Sequence, residues 1–231
     1  MLRAILFDFN GVLVDDEPIH CELLRRALGE EGLELTEAEY YEKYLGLDDR
    51  TAFTRALEEA GEEVTPHRLF RLVARKSTYY QIQVRDRGFP VAKGAVDLVR
   101  TAHGAGLMLG VVSGALRDEV EGALDQMTVR ECFKCLVTAD DVQAGKPDPE
   151  GYRLGLTQLN STPPLPDRLL HPHEVLAIED SPTGLEAAAR SGFSTLAISN
   201  SYTAERLGKA DHLVETLEGL DLSGLNQMFS G

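Results

Sequence analysis

Leu2-Arg3-Ala4-Ile5-Leu6-Phe7-Asp8-Phe9-Asn10-Gly11-Val12 opens the chain. Ala4 to Phe7 is a short apolar run without polar alternation, the pattern of a strand covered on both faces, as in a parallel sheet. Asp8 ends it with a carboxylate. Five further apolar runs follow, at 107–112, 135–137, 175–178, 195–198 and 212–214. Helical periodicity fills most of the intervals, at 118–127, 149–159 and 183–191, the last stopped by Gly192. Strand and helix alternate, which predicts a doubly wound α/β fold, a Rossmann-like parallel sheet core.

One interval breaks the rhythm. About 100 residues separate the first run from the second, whereas a crossover needs about a dozen. The insert reads as helices at 17–31, 37–44, 50–60 and 66–83, with turn signals at Gly32, Gly46 and Gly61. It contains no second strand-rich core, so the chain is expected to comprise a core, 1–15 and 88–231, and an inserted helical cap domain, 16–87. The segment 160–172 carries Pro163, Pro164, Pro166 and Pro172 and reads as a surface loop, with His171 and His173 solvated.

The 231 residues carry 23 basic and 38 acidic side chains, a net charge of −15. So acidic a surface repels phosphate backbones, which argues against nucleic acid as a partner. No apolar stretch approaches the roughly 18 residues of a membrane helix, and no signal-peptide pattern precedes the first strand, so a cytoplasmic protein, monomeric or weakly dimeric, is expected. Cys21, Cys132 and Cys135 are too few for a disulfide framework. Cys132 and Cys135 spell C-x-x-C, but no second Cys or His pair follows at metal spacing, and they read as small apolar residues entering a strand.

In an open α/β sheet, ligands bind beyond the carboxyl ends of the strands. The residues there are Asp8, Ser113, Lys146 within Gly145-Lys146-Pro147-Asp148-Pro149, and the pair Glu179-Asp180. Taken singly, each has a bland reading: an acid capping a helix, a serine in a turn, a solvated lysine. Taken together, carboxylates, a hydroxyl and an amine at the first four strand ends make a site for a divalent metal and a phosphate.

These residues carry a resemblance. Asp8-Phe9-Asn10-Gly11-Val12-Leu13-Val14-Asp15 with Glu17-Pro18-Ile19-His20, then Val111-Val112-Ser113-Gly114, Gly145-Lys146-Pro147-Asp148-Pro149 and Ile178-Glu179-Asp180-Ser181-Pro182-Thr183-Gly184 resemble the four motifs of the haloacid dehalogenase-like superfamily. The likeness is to its helical-cap branch of β-phosphoglucomutase-like and phosphoglycolate phosphatase-like enzymes. The resemblance implies a Mg2+-dependent phosphohydrolase of small phosphorylated metabolites. Asp8 would attack phosphorus to form an aspartyl-phosphate that water then hydrolyses. The metal would be held by Asp8, Asp180 and the backbone carbonyl of Asn10, with Glu179 bound through water or in support. Ser113 and the Gly114 N–H would bind the phosphoryl oxygens, and Lys146 would neutralise their charge.

Asn10 departs from the pattern. Phosphatases of this family usually carry there a second aspartate that protonates the leaving alkoxide and later activates water, and an amide does neither. Four readings are open: a substrate whose leaving group needs no proton, a substitute acid or base among His20, Asp16 and Glu17, a slow or purely phosphate-binding descendant, or an engineered exchange. In the cap, Lys76 resembles a substrate-facing lysine of the mutase-like members, and a solvated helical lysine is the bland alternative. Tyr44-Leu45-Gly46-Leu47-Asp48-Asp49-Arg50 resembles the family's specificity loop, making Arg50 a candidate for a second anion. Asp49 stands where mutases place an arginine, which weakens a sugar-phosphate mutase reading. Phosphonatase chemistry through a cap lysine is a further alternative, and a dehalogenase would not need the Glu179-Asp180 pair.

Overall fold

The computed structural model describes residues 1–229 and divides into two compact units, Met1–Asp15 with Pro90–Gly231, and Asp16–Phe89. The first is the sheet unit. Its strands are β1 (Ala4–Phe7), β2 (Met108–Val112), β3 (Phe133–Val137), β4 (Val175–Glu179), β5 (Ser194–Ile198) and β6 (His212–Val214). They form one parallel sheet in the order β3-β2-β1-β4-β5-β6. The chain starts in the middle, winds outward to β3, crosses back and continues outward to β6, the doubly wound order expected. Every residue of β1 and β4 is buried, which explains the apolar run of Ala4–Phe7 and of residues 175–178, ahead of the buried Glu179.

Register sets up the site. Phe7 lies level with Val111 of β2 and Ile178 of β4, and the Asp8 N–H donates to the Ile178 carbonyl. The residues just beyond these strands therefore emerge along one edge, where β1 separates the two halves of the winding.

The helical unit contains α1 (Glu17–Gly29), the short α2 (Glu37–Glu39), α3 (Asp49–Glu59) and α4 (Pro66–Arg87). Local chemistry marks each start: Thr36 and Glu39 form a reciprocal capping box, Asp48 accepts from the Thr51 N–H at 3.1 Å, and Thr65 caps α4 ahead of Pro66. The helix expected over 37–44 is α-helical only to Glu39. It widens into a π-helical turn at Tyr40–Tyr44, closed by Leu45 N–H to Tyr40 O, which buries Tyr40 and Tyr44. Leu24, Leu28, Phe53, Leu57 and Leu72 fill this unit's own core.

The sheet unit's helices are α5 (Ala95–Gly104), α6 (Arg117–Gln126), α7 (Glu150–Ser161), α8 (Pro182–Arg190) and α9 (Leu222–Met228). α5 adds to the elements expected from sequence, although its buried residues Ala95, Leu98, Val99 and Ala102 recur at helical spacing. α7 packs on β2 and β3, and α8 on β4 and β5. Cys135 is buried in β3, Cys132 is half-buried, and all three cysteines are free. No helix among the described residues is long and apolar enough to cross a membrane.

The proline-rich segment is pinned at both ends. Asn160 exchanges two hydrogen bonds with the Leu170 backbone, and Lys134 donates to the carbonyls of Leu159 and Pro164. His171 and His173 are exposed, with their rings stacked. Glu174, just before β4, is 3% exposed and accepts from Arg168 and from the His171 N–H, with Arg3 at 3.5 Å. These donors pull its carboxyl from the ordinary 4.5 to about 2. A carboxylate held below its unfolded value stabilises the fold above pH 4.5, and that contribution is lost as pH falls towards 2. Glu174→Gln should therefore lower Tm by a few degrees at pH 7 and flatten the acid limb of a Tm-against-pH curve between those values. An unchanged acid limb would show that Glu174 carries none of it.

Candidate functional site

β1 delivers Asp8, β2 delivers Ser113, the loop after β3 delivers Lys146, and β4 delivers Glu179 and Asp180. Lys146 Nζ lies 2.7 Å from Asp8 Oδ1 and 2.6 Å from Glu179 Oε1, bridging the two strands with one ammonium. The Phe9 N–H donates to the same Asp8 oxygen at 2.7 Å, which holds the carboxylate in one orientation. Glu179 is fully buried. It accepts from Lys146, from the Tyr152 hydroxyl at 2.6 Å and from Ser181 Oγ at 3.1 Å. Asp180 accepts from Ser201 Oγ. Ser113 is buried, and its Oγ accepts from the Ala115 N–H, which leaves its hydroxyl proton to donate.

Oxygens of Asp8, Glu179 and Asp180 lie within 4.8 Å of one another, all three residues being buried. Three acids against one lysine leave an excess of negative charge. Burial, then the charge of Glu179, raise the Asp8 carboxyl to about 7 against the opposing pull of Lys146 and the Phe9 N–H. Burial, with Asp8 and Glu179, raises Asp180 well above its ordinary value. Burial alone would lower Lys146, but the two carboxylates outweigh it and hold the ammonium charged. A hard divalent cation suits this donor set, which offers only oxygens.

Two glycines leave room for the carboxylates. A Cβ on Gly11, whose φ is +74°, would fall 1.9 Å from Asp180 Oδ2, and one on Gly184 would fall 2.0 Å from the Glu179 carboxyl carbon. Neither neighbour can give way without breaking its hydrogen bonds. Gly184→Ala should cost at least the roughly 1–3 kcal/mol of an overpacked core and displace Lys146 through Glu179; a melting curve unchanged from the parent would show that α8 can shift instead.

Asp8, Ser113, Lys146, Glu179 and Asp180, with Asn10 and Gly114 in the adjoining loops, thus come together at one sheet edge. His20, Arg50 and Lys76 belong to the helical unit. Lys76 is buried rather than solvated: it is 3% exposed, paired with Asp49, and 2.9 Å from His20 Nδ1. An ammonium only donates, so Nδ1 accepts and Nε2 carries the ring proton towards Asp16 Oδ2 at 3.3 Å. The Tyr80 hydroxyl donates to that Asp16 oxygen at 2.8 Å, and the Tyr80 and His20 rings stack. Arg50 is exposed in the first turn of α3.

Sequence reasoning missed Tyr152 and Ser201, and quoted Ser181 within a motif without giving it a role. Tyr152 faces the site from α7, and nothing in its local sequence separates it from an ordinary core aromatic. Ser201 lies just past β5, and extending the strand-end rule one strand further would have found it.

The comparisons with known proteins agree with this geometry. Validoxylamine A 7'-phosphate phosphatase of Streptomyces hygroscopicus subsp. limoneus is 29% identical over 217 residues, 94% of this chain and 95% of that protein. A phosphorylated carbohydrates phosphatase of Thermotoga maritima is 26% identical over 197 residues, 84% of each. The crystal structure of CbbY from Rhodobacter sphaeroides in complex with phosphate is 25% identical, covers 98% of this chain and all of that one, and superposes with a TM-score of 0.81. Residues 5–198 match the family model of the haloacid dehalogenase-like hydrolases, and the chain belongs to that family.

Proposed function

We propose that the chain is a Mg2+-dependent phosphohydrolase that acts on a small phosphorylated metabolite through an aspartyl-phosphate on Asp8. The observation that carries the reading is Asp8 itself, a carboxylate fixed at a strand end by Lys146 and a backbone N–H beside a buried acidic pair. A protein that only bound anions would gain nothing from a nucleophile aimed at them. Asp8, Asp180 and the Asn10 carbonyl would hold the metal, which when bound neutralises charge on the phosphoryl group.

This chain's residues divide the remaining work. Asp8 attacks phosphorus. Lys146 offsets the repulsion between carboxylate and phosphate, Glu179 fixes Lys146, and Ser113 Oγ and the Gly114 N–H take the phosphoryl oxygens. His20 and Lys76 are assigned to recognition of the substrate, by the family resemblance and by the polar cluster they form, and Arg50 is assigned to a second substrate anion by the resemblance. The net charge of −15 favours a small metabolite over nucleic acid, and the three free cysteines suit a reducing cytoplasm.

A screen for phosphate release with Mg2+, on p-nitrophenyl phosphate, acetyl phosphate, sugar phosphates and phosphoglycolate, tests the reading. Turnover that disappears in Asp8→Ala supports it. Its absence on every substrate would favour the second reading, a non-catalytic phosphate-binding protein, to which Asn10 points.

A further inference from the structure

We infer that the substrates of this site are phosphoric anhydrides, meaning acyl phosphates or diphosphates, and not alkyl phosphates; the inference rests on the phosphohydrolase reading above. What carries it is Asn10, two residues beyond the nucleophile, in a setting where the neighbouring acids are hydrogen-bonded to other groups. An alkoxide departs from phosphorus only as it gains a proton, whereas a carboxylate or phosphate ion departs with its electron pair unaided.

In-line displacement puts the leaving oxygen opposite the attacking one. Lys146 and the Phe9 N–H, both bonded to Asp8, therefore lie on the wrong side to protonate it. Glu179 is buried among Lys146, Tyr152 and Ser181, and Asp180 is bonded to Ser201. Asp15 is exposed, where it accepts from the Asn200 amide. Asn10 offers a carboxamide, which neither gives nor takes a proton.

The substitutes considered from sequence are engaged inside the helical unit. Asp16 accepts from Tyr80 and His20, His20 lies between Lys76 and Asp16, and Glu17 accepts from the Tyr40 hydroxyl at 2.5 Å. To serve as acid or base, His20 would have to surrender its contact with Asp16 or with Lys76.

The step balances without an added acid. An Asp8 oxygen forms a bond to phosphorus as the anhydride P–O bond breaks, and the electron pair leaves on the carboxylate or phosphate ion. Water then forms the new P–O bond, the Asp8 carboxylate is released, and the proton of the water passes to the phosphate product. With no base at residue 10, this second step is the slower one, so phosphorylated Asp8 accumulates.

The test compares kcat/KM for acetyl phosphate and glycerol 3-phosphate with saturating Mg2+, in the parent chain, Asn10→Asp and Asp8→Ala, alongside mass spectrometry of acid-quenched protein. The expected parent ratio is about 100 or more, and Asn10→Asp should shrink it about tenfold or more by accelerating the alkyl ester. Quenched parent protein should carry one phosphoryl group on the Asp8 peptide, and Asn10→Asp much less. A parent ratio near one, or a ratio unmoved by Asn10→Asp, with turnover still lost in Asp8→Ala, overturns the anhydride inference and leaves the phosphohydrolase reading intact. No Asp8-dependent turnover and no phosphoryl group overturns the phosphohydrolase reading, and the inference falls with it.

Discussion

Asp8→Ala is expected to lower phosphate release by about 10⁴-fold or more, the scale of losing a covalent nucleophile, and at the same time to raise thermal stability without metal. The two effects have one origin. Asp8 is buried beside Glu179 and Asp180 with a single lysine to offset three carboxylates. Its carboxyl is raised from 3.8 to about 7, so the folded chain holds the proton more tightly than the unfolded chain between those values. Ionised Asp8 therefore costs stability above about pH 7, and the cost fades as pH falls through 7 towards 3.8. Removing the carboxyl removes the cost. The Tm of the metal-free variant should exceed that of the parent at pH 8, and the gap should close by pH 4. A variant less stable than the parent at pH 8 would show that the Lys146–Asp8 pair outweighs the crowding of like charges.

Lys146→Met should fail on both counts. The variant keeps the length of the side chain and deletes the ammonium that bridges Asp8 and Glu179. For catalysis, the loss of one positioned donor to developing charge costs about 10²–10³-fold in kcat. For stability, two largely buried carboxylates lose their shared counter-ion, and breaking such a pair costs about 3–5 kcal/mol. Glu179 suffers most, because it is fully buried and keeps only Tyr152 and Ser181 as donors. Divalent cation should restore part of the stability and none of the lost kcat, which separates the two roles of the lysine. Thermal melts with and without Mg2+, beside steady-state kinetics, make the comparison. Equal losses of Tm in both conditions would show that cation and lysine do not share the same carboxylates.

The opposite signs expected for these two variants show how the site is built. Removing one acid relieves a repulsion, and removing the base exposes it. Sites of this kind hold charge at the expense of stability, and the surrounding fold offsets that cost. Here the offset comes from β1 and β4, buried along their whole length, and from donors such as Tyr152 that sequence did not point to.

The inner strands were legible as apolar runs because a parallel sheet covered on both faces demands continuous hydrophobicity, whereas β6, at the sheet edge with Leu213 exposed, was legible only as a run of three residues. The helical insert was legible from the length between the first two runs, and the line of chemistry from the polar residues at the strand ends. The π-helical turn at Tyr40–Tyr44 was not, since the pattern of buried tyrosines four apart suits an α-helix equally well. Neither was the burial of Lys76, because a lysine beside Arg75 in a charged helix looks solvated until Asp49 and His20 are brought against it.

The sequence by itself determined the order of elements, the strand ends at which the acids, the serine and the lysine stand and the amide at residue 10, because these are properties of short stretches of chain. Only the tertiary structure decided which charges meet. Lys146 reaches Asp8 and Glu179 across 138 and 33 positions of sequence, Tyr152 reaches Glu179 from α7, and Ser201 reaches Asp180 from beyond β5. Such pairings depend on strand order and register, which bring distant residues to one edge. Hydrophobic periodicity reports which face of an element is buried and is silent on what that face will touch.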